Sequence, residues 1–185
     1  HINNVSNYLK KINRKFIRIR EPGGSNNSEK IRKLILDNKS SFNENTDLLL
    51  YMSARSENIS LIKKNFKKKI ILIDRFVDST IAYQHYGLGV DIKIINLINN
   101  FLLKNIKVTF TFLNLVNSKN MIERLKKRKK LNRYDKFSIT FYNKVQKGFL
   151  NISKRRNKKY LRVNSNLEIN FNKKMIINKV KELIT

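Results

Sequence analysis

Apolar residues along this chain alternate between helical spacing and short continuous runs. Ile2, Val5, Leu9 and Ile12 recur at helical intervals, so residues 1–13 are predicted to form an amphipathic helix. The same reasoning predicts helices over 28–36, 45–66, 91–103, 117–128, 137–152 and 170–184. Short apolar runs predict strands over 16–19, 70–73, 108–113 and 160–163. Alternating strands and helices indicate βαβ units, and therefore one α/β domain with a parallel sheet.

A polar cluster follows the predicted strand 70–73 directly. Asp74 and Arg75 end the strand, and a turn carrying the polar side chains of Ser79, Thr80, Tyr83 and Gln84 is expected after them. Ligands of open parallel α/β sheets bind just beyond the carboxyl ends of the strands. An aspartate there can hold a hydrated Mg²⁺, and an arginine can bind a phosphate with two parallel hydrogen bonds. The segment therefore indicates a nucleotide site.

The charge of the chain is strongly positive, with 41 Lys and Arg against 13 Asp and Glu, a net +28. Such a charge is typical of nucleic-acid binding. The composition favours a second explanation, because abundant Lys, Asn and Ile are what an A/T-rich genome encodes in any protein. We therefore do not expect nucleic acid as a specific partner. The chain has no cysteine, and no apolar run approaches the roughly 20 residues of a membrane span, so we expect a cytoplasmic protein with no membrane partner.

Four sequence blocks lie in the order and spacing of one known family. They are REPGG (20–24), LLLYMSAR (48–55), DRFVDSTIAYQ (74–84) and RLKKRKKLNRYD (124–135). Together they resemble the bacterial thymidylate kinases, which move the γ-phosphoryl group of ATP onto dTMP for dTTP biosynthesis. The resemblance implies Mg²⁺ as cofactor and ATP as co-substrate. It also implies a P-loop nucleoside monophosphate kinase-like parallel sheet with helices on both faces.

The first two blocks imply contacts with the acceptor nucleotide. By resemblance, Arg32 contacts the dTMP phosphate and Glu21 lies near the sugar and metal. Tyr51 stacks on thymine, where the family more often has Phe, and Arg55 hydrogen-bonds a base carbonyl. Tyr51 and Arg55 are four residues apart and share one helix face. The alternatives are an exposed helical arginine at 32 and a plain core tyrosine at 51.

The third block implies the reacting end of the acceptor site. By resemblance, Arg75 bridges the acceptor phosphate and the transferred group, and Asp74 orders metal, water or neighbouring donors. The base pocket would be lined by Ser79, Thr80 and Gln84. Tyr83 would lie under the sugar and disfavour a 2′-hydroxyl. Ser79 and Thr80 could also be simple helix caps.

The fourth block implies a mobile lid over about 124–136 that closes on the ATP phosphates. Arg128 is the candidate for the γ-phosphate contact, with Arg124 and Arg133 in support. The family usually has Gly after that arginine, whereas this chain has Lys129. The alternative is a solvated run of charges.

The phosphate-binding motif G-x-x-x-x-G-K-S/T of such kinases is absent from residues 1–185. The resemblance begins just after it, so we expect an N-terminally truncated single domain over 1–185, a fragment that lacks the first, central strand. Without that strand, the sheet would have a gap between the predicted strands 70–73 and 108–113. We expect this chain alone to be inactive or nearly so.

Other functions stay open at this point. A basic nucleic-acid-binding protein on a degenerate kinase scaffold, an inactive kinase, and a nucleotide kinase with another acceptor are the alternatives. The set Tyr51, Arg55, Thr80 and Gln84 matches thymine best. A homodimer is a further expectation, through the apolar faces of the helices 45–66 and 91–103.

Overall fold

The computed structural model describes residues 1–184. The strands are β1 (Phe16–Arg20), β2 (Ile70–Asp74), β3 (Thr111–Leu115) and β4 (Tyr160–Asn164). The longer helices are α1 (Ile2–Lys11), α2 (Asn26–Leu36), α3 (Glu44–Asn65), α5 (Ile92–Leu103), α6 (Ser118–Lys126), α7 (Ile139–Arg155) and α8 (Ile169–Ile184). A short helix α4 (Val77–Thr80) runs into a π-helix (Ile81–Gly87), and 3₁₀ turns cover Arg133–Lys136 and Asn157–Lys159.

The four strands form two separate parallel pairs. β1 pairs with β2 in the register Phe16↔Ile70 to Arg20↔Asp74. β3 pairs with β4 in the register Thr111↔Tyr160 to Leu115↔Asn164. Among residues 1–184, no ladder joins β2 to β3. The expected parallel α/β architecture is present, with the break between β2 and β3 where a central strand was expected to be missing.

A shared hydrophobic core holds the two strand pairs together. Its buried members come from α1, β4 and α8, and residues of all four strands pack against it. The buried members are Val5, Leu9, Val163, Ile176 and Val180. Burial of such side chains contributes roughly 1.5–3 kcal/mol each. The two pairs therefore pack against the same core, although no ladder joins them within residues 1–184.

Most predicted helices begin within a few residues of their expected positions, because side-chain caps fix their starts. Asp91 accepts a hydrogen bond from the Lys93 amide at 2.8 Å, which confirms it as the cap of α5. Asn43 caps α3 in the same way through the Thr46 amide. β3 starts three residues later than predicted, at Thr111, since the register pairs that residue with Tyr160, where β4 begins. No helix within 1–184 has the length and apolar character needed to cross a membrane.

The segment after β2 differs from the prediction. The sequence suggested a polar turn, whereas residues 77–87 are helical, first as α4 and then as the π-helix. Packing against α7 explains the difference. A Cβ on Gly87 would lie 2.6 Å from the Phe141 ring, and one on Gly148 would lie 2.6 Å from the Tyr86 ring. This close approach holds the segment helical and turns Tyr83 and Gln84 inward.

Candidate active site

The carboxyl ends of β1 and β2 bring two of the sequence blocks together. Arg20 and Asp74 are register partners, and the Glu21 amide donates to the Asp74 carbonyl at 2.9 Å. The REPGG turn therefore lies directly beside the DR pair. This edge is where parallel sheets place their ligands.

The REPGG turn is shaped by its own hydrogen bonds. Gly23 has a φ of 115°, its amide donates to the Ser28 hydroxyl at 2.9 Å, and that hydroxyl donates to the Gly23 carbonyl at 3.0 Å. The peptide bond between Glu21 and Pro22 is cis. Arg32 Nη1 donates to the Pro22 carbonyl at 2.7 Å. Arg32 is half-buried. Its burial lowers its pKa, and the nearby positive charge of Arg20 lowers it further. The turn therefore fixes a cation at the sheet edge.

Arg55 connects three of the four blocks. Its side chain is 2% exposed. Nε donates to Glu21 Oε2 at 2.8 Å, Nη1 to Asn99 Oδ1 at 2.7 Å, and Nη2 to Thr80 Oγ1 at 3.0 Å. The guanidinium also lies 5.0 Å from the centre of the Phe76 ring. Because every nitrogen has an acceptor, the orientation of this cation is fixed.

Glu21 is the counter-ion of Arg55 in a buried setting. Burial raises the pKa of Glu21 and outweighs the opposing effect of Arg55. Its second oxygen, Oε1, has no hydrogen-bond partner within residues 1–184. Asn58 supports the same turn by donating to the Gly23 carbonyl at 2.8 Å. The carboxylate thus retains one unpaired buried acceptor next to the expected sugar position.

Asp74 and Arg75 lie exposed at the end of β2. Arg75 has a φ of 64°, a left-handed conformation that costs a residue with a Cβ roughly 1–2 kcal/mol. Its guanidinium lies 5.1 Å from the centre of the Tyr83 ring. Within 1–184 there is no group of three or more His, Cys, Asp or Glu side chains that could enclose a metal ion. Arg75 thus combines a strained backbone with an exposed side chain that lies over the Tyr83 ring.

Tyrosine rings form an aromatic cluster around Tyr134. Tyr51 and Tyr83 both meet Tyr134 edge to face, at centroid distances of 5.9 and 5.8 Å. Burial raises the pKa of Tyr51 to about 12, so its hydroxyl is neutral at physiological pH. Thr80 is buried, whereas Ser79 is partly exposed. Tyr51 and Tyr83, the predicted stacking and sugar-facing residues, thus meet the same ring.

Gln84 is fully buried and held through its amide nitrogen. Nε2 donates to Asp47 Oδ2 at 3.1 Å and to the Tyr134 hydroxyl at 3.2 Å. Its carbonyl oxygen has no partner within residues 1–184. The amide therefore keeps a free acceptor in the region predicted for the base.

The three predicted lid arginines lie in different surroundings. Arg124 is exposed and donates to the Ser165 carbonyl at 2.6 Å. Arg128 is 53% exposed and pairs with Asp135. Arg133 is only 12% exposed, pairs with Asp47, and donates to the Ile35 carbonyl at 3.1 Å. Two of the three are therefore at the surface, and the third is bound to the body of the domain.

Sequence reasoning missed Asp47, Asn99 and Tyr134. Asp47 lies in the first turn of α3, and Asn99 lies four residues after the buried Ile95 on α5. A polar residue at helical spacing on an apolar face was the available signal for Asn99. Tyr134 was inside the recognised lid block, but no pattern in the chain indicates its buried position.

Comparisons with known proteins agree with this geometry. The family model "Thymidylate kinase" matches residues 1–176. A thymidylate kinase of Thermosipho africanus is 37% identical over 157 residues, covering 84% of this chain and 78% of the relative. One from Wolbachia of Brugia malayi is 38% identical over 153 residues, covering 80% and 72%. The crystal structure of thymidylate kinase from Ehrlichia chaffeensis superposes with a TM-score of 0.75 at 28% identity, covering 95% and 88%. The chain belongs to the thymidylate kinase family.

Proposed function

We propose that this chain binds dTMP at the carboxyl ends of β1 and β2 and so provides the acceptor site for transfer of the γ-phosphoryl group of ATP. The expectation that residues 1–185 alone are inactive or nearly so stays a prediction. The Arg55 network is the observation that carries the proposal. One guanidinium reaches Glu21 of the first block and Thr80 of the third from its own place in the second. Family membership makes the reaction ATP plus dTMP to ADP plus dTDP.

The acceptor phosphate is assigned to Arg32 and Arg75. Arg32 donates to the Pro22 carbonyl, and the guanidinium of Arg75 lies over the Tyr83 ring. Two fixed cations suit a doubly charged phosphate, and the planar guanidinium can bind two oxygens at once. A phosphate oxygen of dTMP attacks the γ-phosphorus in line while the bond to the bridging oxygen of ADP breaks, without a covalent enzyme intermediate.

The base and sugar are assigned to the aromatic cluster. Tyr51 is assigned to stack on thymine, and Tyr83 is assigned to the sugar, where it would disfavour a 2′-hydroxyl. Thr80 and Gln84 present buried polar atoms to the edge of the base, and Arg55 Nη2 carries a second N–H besides the one donated to Thr80. Buried polar groups discriminate strongly because a wrong ligand leaves them unpaired. Ser79, partly exposed, lines the rim.

The lid supplies cations to ATP. Arg128 and Arg124 are the exposed members: Arg128 pairs with Asp135 inside the lid, and Arg124 donates to the Ser165 carbonyl just after β4. Closing such a segment excludes water and adds positive charge where the transferred phosphoryl group develops negative charge.

Mg²⁺ is the proposed cofactor. This ion keeps several waters and usually takes one or two carboxylates together with substrate phosphates. Asp74, exposed beside Arg75 at the end of β2, suits that coordination, directly or through water. When bound, the ion neutralises charge on the phosphates. Given these substrates, the cytoplasm is the proposed compartment.

Ligand binding tests the proposal directly. Calorimetry is expected to show dTMP bound at least tenfold more tightly than UMP, with binding lost in Arg75→Ala. Arg18→Ala, which removes an exposed arginine from the middle of β1, is the matched control and should bind normally. Equal binding of dTMP and UMP would contradict the assignment. Tight, salt-dependent binding to any DNA in place of dTMP would favour the nucleic-acid alternative.

A homodimer through α3 and α5 is a separate part of the proposal. Leu97 and Phe101 lie on one face of α5 and are 71% and 73% exposed, and Leu49 on α3 is 57% exposed. Large exposed apolar side chains grouped on one face mark association sites. Sedimentation should show a dimer that Leu97→Gln with Phe101→Gln converts to a monomer. Phe171→Gln, at a phenylalanine of α8 that is 57% exposed, should stay dimeric.

A further inference from the structure

A buried aspartate in the first turn of α3 has no role in the site described so far. Asp47 is 1% exposed and accepts hydrogen bonds from three side chains. These are Gln84 of the π-helix, and Arg133 and Tyr134 at the carboxyl end of the lid. One carboxylate therefore touches both the predicted base pocket and the predicted lid.

The pairing with Arg133 holds the end of the lid against the domain. The Arg133 guanidinium lies over the rings of Phe42 and Tyr134, at 5.3 and 5.0 Å. Nε donates to the Ile35 carbonyl. Removing one partner of a buried ion pair is costly because it leaves the other charge unpaired. Arg133 is thus placed to anchor the lid, whereas Arg124 and Arg128 face solvent.

Tyr134 extends the anchor into the aromatic cluster. Its ring meets Tyr51 and Tyr83 edge to face, and its hydroxyl donates to Asp47. Burial raises the pKa of Tyr134, so the hydroxyl keeps the proton that it donates. A movement of the lid end therefore disturbs the ring that contacts both predicted walls of the nucleotide pocket.

Asp47 also determines which way the Gln84 amide points. A carboxylate accepts only, so the amide nitrogen must face Asp47 and the amide oxygen must face elsewhere. That oxygen is the buried acceptor without a partner in residues 1–184. The orientation leaves Gln84 ready to accept a hydrogen bond from a donor on the ligand.

We propose that Asp47 is a positioning residue that couples the lid to the base pocket, by anchoring Arg133 and Tyr134 while orienting Gln84. The inference rests on the proposed function for the identity of the ligand. Because coupling of two sites is reciprocal, dTMP in the pocket stabilises the anchored lid, and a released lid weakens dTMP binding. Asp47 itself does not touch the nucleotide.

Hydrogen exchange measured by mass spectrometry, with calorimetry of dTMP, tests the proposal. In the unsubstituted chain, dTMP should slow amide exchange across 124–136. In Asp47→Asn, exchange there should be at least about fivefold faster without ligand, dTMP should bind about tenfold more weakly, and protection by dTMP should largely disappear. If Asp47→Asn left the exchange of 124–136 unchanged without ligand, the proposal that Asp47 anchors the lid would be overturned. Faster exchange with unchanged dTMP affinity and protection would overturn the coupling.

Two tyrosine variants keep the test decisive if Asp47→Asn does not fold. Tyr134→Phe removes only the hydroxyl that donates to Asp47, and should give a smaller change in the same direction. Tyr160→Phe removes another tyrosine–aspartate hydrogen bond, to Asp78, and should leave exchange of 124–136 unchanged. Failure of the unsubstituted chain to bind dTMP would overturn the coupling and the proposed function together. The anchor is judged separately, by exchange without ligand.

Discussion

Two arginines of the candidate site, Arg55 and Arg128, are held in opposite ways. Arg55 is 2% exposed, and each of its three nitrogens donates to a different side chain. Arg128 is 53% exposed, and its paired side chain is Asp135. The same type of side chain is thus fixed in the predicted pocket at Arg55 and exposed on the predicted lid at Arg128.

Solvation explains why these two environments suit different tasks. A buried guanidinium loses several kcal/mol of hydration and is stable only when its donors meet well-placed acceptors. Such a group has one orientation, which is what recognition of a flat base requires. An exposed ion pair contributes only about 0–1 kcal/mol and breaks easily. A lid that opens and closes needs the second kind of contact.

Arg55→Ala should have the largest effect on stability. Glu21 would stay buried without its counter-ion, so the free energy of unfolding should fall by about 3–5 kcal/mol, and dTMP binding should be lost. Urea unfolding followed by circular dichroism measures the first quantity and calorimetry the second. Adding Glu21→Gln to Arg55→Ala is the control, because removing the unpaired charge should restore part of the stability. If the free energy of unfolding fell by less than about 1 kcal/mol, the buried Arg55 would contribute no more to stability than an exposed arginine such as Arg128.

Asn99→Ala should have the next largest effect. It leaves Arg55 Nη1 without its 2.7 Å acceptor, so the unfolding free energy should fall by about 1–3 kcal/mol. Affinity for dTMP should fall as the guanidinium gains freedom. Asn100→Ala is the matched control, since Asn100 is the next residue of the same helix and is exposed. Equal effects of the two substitutions would contradict the role of Asn99.

The sequence predicted the alternation of helices and strands because apolar spacing and side-chain caps are local signals. Asp91 was recognised as a cap, and its partner lies two residues away. The helical state of 77–87 was missed because it depends on the fit of Gly87 and Gly148 against rings of distant residues. No local pattern carries that information.

For the same reason, the sequence predicted some residues of the candidate site but not the distant partners that orient them. The resemblance supplied Arg55 and Thr80, but not Asn99, which is 44 residues from Arg55 in sequence. Arg133 was grouped with the lid cations, yet its partner Asp47 lies 86 residues away. Partners at such separations become visible only when the chain is folded, so the positioning residues were the part that sequence could not provide.

Arg75 lies between the two extremes, with an exposed side chain on a constrained backbone. Its φ of 64° strains any residue with a Cβ, whereas glycine adopts this conformation freely. Arg75→Gly should therefore be about 1 kcal/mol more stable than Arg75→Ala in urea unfolding, while both lose dTMP binding. Equal stability of the two variants would mean that the strain is relieved elsewhere in the turn.

Arg128→Ala should have the smallest effect on stability and thereby completes the comparison with Arg55. The Arg128–Asp135 pair lies largely in solvent on the arginine side, so the unfolding free energy should change by less than about 1 kcal/mol. Affinity for dTMP should stay the same, because the pocket residues keep all their partners. Lys129→Ala, which removes a neighbouring exposed charge, is the control and should behave alike in both measurements. A loss near that of Arg55→Ala would show that Arg128 is a structural residue, and the lid would then need a different cation for the ATP phosphates.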